Sequence, residues 1–102
     1  MKAYPVLSTR SGKAVANQYI LDGNNCKTFQ SYDSVIATYD YNTMTLTFGE
    51  DYNRSRTTSK YLNKFLQDEL SIHGKTAQQL IDAGHYDRSN GANIHVRFDA
   101  SL

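Results

Sequence analysis

Thr43-Met44-Thr45-Leu46-Thr47-Phe48 alternates without a fault, with Met44, Leu46 and Phe48 on one side of an extended chain and three threonines on the other. Successive strand side chains point to opposite faces, so a period of two describes a sheet with one apolar and one polar face. The apolar face needs a cover. Residues Tyr52 to Leu66 read as a helix that continues to about Leu70 and stops near Gly74, with Ser55, Thr57 or Thr58 able to accept a backbone N–H as N-cap. Its apolar positions Leu62, Phe65, Leu66 and Leu70 recur at the three-and-four spacing that makes one buried stripe.

The remaining segments extend this plan. Ala14 to Leu21 reads as a strand, Asp22-Gly23-Asn24-Asn25 as a tight reversal, and Cys26 to Gln30 as the returning arm of a hairpin. Val35 to Tyr39 is rich in β-branched and aromatic residues, Asp40-Tyr41-Asn42 turns the chain into the alternating strand, and Gly49-Glu50-Asp51 ends it. After the long helix, Thr76 caps a shorter one with Ala77, Leu80 and Ile81 on its apolar side and Gly84 at its end. Asp87-Arg88-Ser89-Asn90-Gly91 reads as a loop, and Ile94, Val96 and Phe98 then alternate with Asn93, His95 and Arg97 in a last strand expected at a sheet edge. Residues 1–13, with Pro5 and the polar run Ser8 to Lys13, read as an arm or loop. The expectation is a single α+β domain over 1–102: an antiparallel β-meander of about four strands covered on one face by a helix, then a short second helix and a C-terminal strand. Ile20, Phe29, Ile36, Leu46, Leu62, Phe65, Leu66, Leu80 and Ile81 are its expected core.

Charge and chemistry narrow the function classes. A net charge of +1 over 102 residues leaves room for a local basic patch but not for a surface that grips nucleic acid throughout. One cysteine, Cys26, makes no internal disulfide and no multi-cysteine zinc site, which fits a reducing compartment. The short apolar run after Lys2 is not a signal peptide, and nothing later approaches the ~18 apolar residues of a membrane span, so the chain reads as cytoplasmic. Thr9-Arg10-Ser11-Gly12-Lys13 fails as a phosphate loop, because Ala14 follows the lysine and no earlier glycine precedes it.

Cys26 with His73, His85 or His95 lacks any nucleophile signature, and Asp82, His85 and Asp87 do not have the spacing of a metal site. The adjacent carboxylates of Glu50-Asp51 and Asp68-Glu69 point apart. No catalytic residue, metal or cofactor is expected.

Binding residues remain. Arg56, Lys60 and Lys64 repeat every fourth residue on the solvent side of the long helix, with Asp68 a turn further on, and Arg54 stands just ahead of them. Such a row is either a solvated face or a contact surface. Tyrosine is abundant, 8 of 102 residues, and Tyr41, Tyr52 and Tyr86 fall in expected loops where a large amphipathic ring can anchor a partner. Tyr52, Arg54, Arg56, Lys60 and Lys64 form the candidate binding set.

Phe29-Gln30-Ser31-Tyr32-Asp33-Ser34-Val35-Ile36-Ala37, then Asp51-Tyr52, then Thr57-Thr58-Ser59-Lys60-Tyr61 with Phe65-Leu66, resembles a group of small proteins carried by phages and other mobile elements of bacteria, mostly without assigned function. The resemblance implies an accessory protein in a bacterial cytoplasm, acting by binding a host nuclease, CRISPR effectors included, rather than by catalysis. Two readings follow: a protein binder that inhibits a host nucleic-acid-handling or defence complex, or a nucleic-acid binder using Arg54, Arg56, Lys60 and Lys64.

Overall fold

The computed structural model of the protein describes residues 2–8, 10–88 and 91–102. Its class is α+β. Strands β1 (Lys2–Leu7), β2 (Ala14–Asp22), β3 (Cys26–Ser31), β4 (Ser34–Asp40) and β5 (Thr45–Phe48) run as an antiparallel meander, helices α1 (Arg56–Leu70) and α2 (Ala77–Ala83) follow, and β6 (His85–Asp87) and β7 (Asn93–Phe98) complete one seven-stranded sheet in the order β1-β2-β3-β4-β5-β7-β6.

The strand count exceeds the expected meander at both ends. Residues 2–7 are not an arm: they pair antiparallel with β2, Tyr4 opposite Ile20 and Pro5 opposite Tyr19. An outermost strand tolerates a proline, because one row of its backbone groups has no neighbour to bond. Tyr4 and Val6 turn inward while Ala3, Pro5 and Leu7 are exposed. At the other end β7 is an interior strand, not an edge, since it lies parallel to β5 and antiparallel to the three-residue β6. Ile94 and Val96 are therefore buried. Thr9, Ser89 and Asn90 lie outside the described residues; Asp87 belongs to β6 rather than to the expected loop.

One face of the sheet is the core. Ile20, Phe29, Ala37, Tyr39, Leu46, Phe48, Ile94 and Val96 meet Leu62, Phe65, Leu66 and Leu70 of α1 and Ala77 and Leu80 of α2, the helix stripes read from the sequence. Phe29 and Phe65 stack with ring centroids 5.8 Å apart. Ile81 is half-buried at the margin. In β4 the register shifts by one residue, Phe29 pairing with Ala37 but Gln30 with Val35, and this bulge lets Ile36 and Ala37 both be buried. The opposite face carries Thr28, Thr38, Thr47 and Arg97 in one continuous register, with Thr28 Oγ1 and Thr38 Oγ1 2.9 Å apart. Met44, expected inside the alternating strand, instead takes φ 53° in the turn before β5, half-buried against the core.

Helix ends follow their local chemistry. Ser55 Oγ accepts the Thr58 N–H at 3.1 Å, and Thr76 with Gln79 forms a reciprocal capping box. α1 stops at Leu70, with Ser71 left-handed at φ 56° rather than a glycine. The α1 carboxyl end has no basic residue of its own, but Arg88 donates to the Leu70 carbonyl at 2.9 Å and so places a cation at the negative pole of the helix. Among the described residues no helix is long and apolar enough to cross a membrane.

Candidate binding site at the start of the long helix

The hairpin between β3 and β4 meets the amino end of α1 in a polar junction. Ser31 and Thr58, both fully buried, share a hydrogen bond of 3.0 Å, and Ser55 Oγ lies 3.1 Å from Thr58 Oγ1. Beside them Arg54 Nη1 donates to Ser34 Oγ at 2.8 Å, and Ser34 in turn donates to Asp51 Oδ2 at 2.9 Å. Arg54 also lies 3.6 Å from Asp51 and over the Tyr32 ring, 5.4 Å from its centroid. A buried hydroxyl left without a partner costs about 1–3 kcal/mol, so this network holds the start of the helix against the hairpin.

The candidate residues divide into three kinds. Arg54 is already engaged by Ser34, Asp51 and Tyr32. Arg56 is exposed, and Lys60 sits over the Tyr61 ring at 5.3 Å; among the described residues neither has a carboxylate partner. Lys64 belongs elsewhere, paired with Asp68 at 2.5 Å and lining a groove against β1.

Tyr52 is not the exposed anchor its loop position implies. Its half-buried ring lies between Phe48 and Phe98, centroids 6.1 and 6.0 Å away, and its hydroxyl donates to Gln78 Oε1, which ties the loop to α2. Tyr86 is likewise half-buried, its hydroxyl accepting the His73 N–H at 3.3 Å, whereas Tyr41 is exposed. The exposed aromatic at the helix start is Tyr32, 44% accessible and left-handed at φ 57° in the hairpin turn. The one sequence signal for it is its place at the tip of a two-residue connection, Tyr32-Asp33.

The residues weighed for catalysis do not converge. Cys26, Asp40, Thr45, His95 and His85 share one cross-strand row, but Cys26 and His95 are three strands apart, about 14 Å at the usual strand spacing. His85 bonds the Ala83 carbonyl and lies 3.8 Å from Asp87.

At the far end of α1, Lys27 donates to Glu69 Oε2 at 2.9 Å and the Tyr4 hydroxyl donates to Glu69 Oε1 at 3.3 Å, joining β1, β3 and the helix. Burial alone would lower the Lys27 pKa, but the Glu69 hydrogen bond and charge outweigh it and raise it above the ordinary lysine range. Burial, then the Glu69 charge, pushes the Tyr4 hydroxyl up as well. Both groups are protonated more firmly folded than unfolded, so their stabilisation is complete below about pH 10 and is lost as pH rises through the folded values. Urea midpoints of the native chain are expected to fall between about pH 10 and pH 12 more steeply than those of Glu69→Gln. Parallel pH profiles for the two proteins would show that this triad contributes nothing.

Fold and junction together define a small α+β protein whose sheet is covered on one face by two helices and whose long helix opens beside an exposed hairpin tip, with Arg54 over the Tyr32 ring. The chain belongs to a family of unknown function (DUF8033), whose model matches residues 1–82. The match ends within α2, so β6 and β7 lie beyond it. No curated protein and no solved structure matches the chain.

Proposed function

We propose that this chain is a non-enzymatic binding module that docks an acidic surface of a partner protein at the start of α1, through Arg56, Lys60 and the Tyr32–Arg54 pair. The observation that carries this reading is the placement of cations where local stability does not explain them. Arg56 opens a helix whose first turn has no acidic residue, where the dipole disfavours positive charge, and Lys60 stands one turn on without a carboxylate partner among the described residues. An acidic partner would offset that repulsion, and the exposed Tyr32 ring beside Arg54 offers contact area at low entropic cost. The resemblance to small mobile-element proteins supports a partner in a bacterial host's nucleic-acid-handling or defence machinery, a CRISPR-type nuclease among the candidates.

The test begins with co-purification from a bacterial lysate and identification of the captured protein by mass spectrometry. Arg56→Glu combined with Lys60→Glu is expected to leave the melting temperature unchanged or slightly raised, since both side chains project to solvent and a carboxylate suits the helix start, and to weaken capture by more than about tenfold. Unchanged capture would return these residues to a solvated face. Capture of nucleic acid with an affinity that falls steeply with salt would instead favour phosphate contacts.

A further inference from the structure

β1 is the outermost strand of the sheet, and between it and α1 runs an open groove of about 320 Å³. Its floor is apolar: Val6, Ile20 and Phe65 lie below, and Leu7, 50% accessible, stands at the margin. Its rim is charged but internally balanced. Lys64 is paired with Asp68 on the helix side, and the Glu69 carboxylate is held by Lys27 and Tyr4.

We propose that this groove is a docking site for an extended, uncharged segment of a partner protein that carries aliphatic side chains at alternate positions. Three observations select that occupant. The groove lies along four consecutive residues of β1, Tyr4 to Leu7, so an extended segment lying beside them presents two alternate side chains to one face, and the volume is that of a small ligand site. A strand edge next to a helix supplies main-chain hydrogen bonds from one wall and apolar contact from the other, the combination by which sheet edges capture peptides. The rim carboxylates and ammonium groups already satisfy one another, so a charged occupant would have to break a pair to enter, whereas an uncharged one would not.

Pro5 limits the addition. Proline has no N–H to offer, so the segment gains few main-chain bonds and depends on its side chains. This also disfavours a second β1 as occupant, since both partners would bring the same defect. The groove is distinct from the proposed contact at Arg56 and Lys60, and the two succeed or fail separately.

The probe is a displayed library of random twelve-residue peptides, selected on the intact protein, with recovered sequences synthesised and titrated by fluorescence polarisation. Enrichment of aliphatic residues at alternate positions is expected, with shifts confined to the amides of β1 and of residues 64–69 in heteronuclear spectra. Leu7→Asp, at a half-exposed position that leaves folding intact, is expected to weaken those peptides at least tenfold, while Arg56→Glu with Lys60→Glu leaves them unchanged. No enrichment, enrichment of charged sequences, or peptides insensitive to Leu7→Asp would overturn the proposal. So would tight binding of dodecanoate to the same amides without any peptide binding, which would make the groove an acyl site.

Discussion

Phe65→Ala is expected to destabilise the protein by about 3–5 kcal/mol, the usual range for removing a fully buried aromatic ring. Phe65 is 1% exposed and stacks on Phe29 in the contact between helix and sheet, so nearly all of the ring's apolar contact is lost. A protein of this size has roughly 5–15 kcal/mol of stability in total, and the loss should lower the melting temperature by roughly 10 °C or more. Urea denaturation measures it directly, with an unchanged m-value indicating that the native state itself is retained. A loss below about 1 kcal/mol would mean that α1 contributes little to the core, and the helix-covered architecture would not stand.

Ile94→Ala is the second large effect, expected at about 2–5 kcal/mol. Ile94 is fully buried on β7, between β5 and β6, and its neighbour His95 points to the opposite, exposed face. His95→Ala should therefore stay within about 0.5 kcal/mol. The contrast matters because β7 lies beyond the family match of residues 1–82, yet supplies core to the sheet. Equal small effects at both positions would place the segment at a frayed edge.

Sequence patterning revealed the helix stripes, the Thr76 cap, Gly84 and four strands of the meander, and it narrowed the long helix's cap to Ser55, Thr57 or Thr58, because each rests on local periodicity or on a side chain that caps its own neighbours. Where it failed, the deciding partner lay far along the chain. β1 carries a proline and a polar run behind it, and only pairing with β2 makes it a strand. His85-Tyr86-Asp87 is three residues between a helix end and a charged turn, too short for any period to show. Gly49 reads as a strand breaker, but a Cβ there would lie 2.8 Å from the Val35 carbonyl oxygen, a close approach of two backbones that no local pattern records. At the candidate site the basic row was visible while its division was not. Asp68 removes Lys64 from it, Ser34 and Asp51 hold Arg54, and Phe98, forty-six residues away, takes up the Tyr52 ring. The exposure of Tyr32 follows from its place at the hairpin tip, which its sequence neighbours do not mark.

The parallel pairing of β5 with β7 sets an order of assembly. Thr28 finds Thr38 ten residues on, whereas Phe48 must find Phe98 fifty residues on. Closing the longer loop costs roughly 1.4 kcal/mol more chain entropy, from the logarithmic dependence on loop length. That closure is repaid only once both helices have packed and the apolar side chains of the last strand have somewhere to go. The nucleus of folding is thus expected in the hairpins of the amino-terminal half, with the carboxyl-terminal strands joining a surface already built. A ribosome releasing this chain from its amino end delivers the segments in that same sequence, so synthesis and folding run in step.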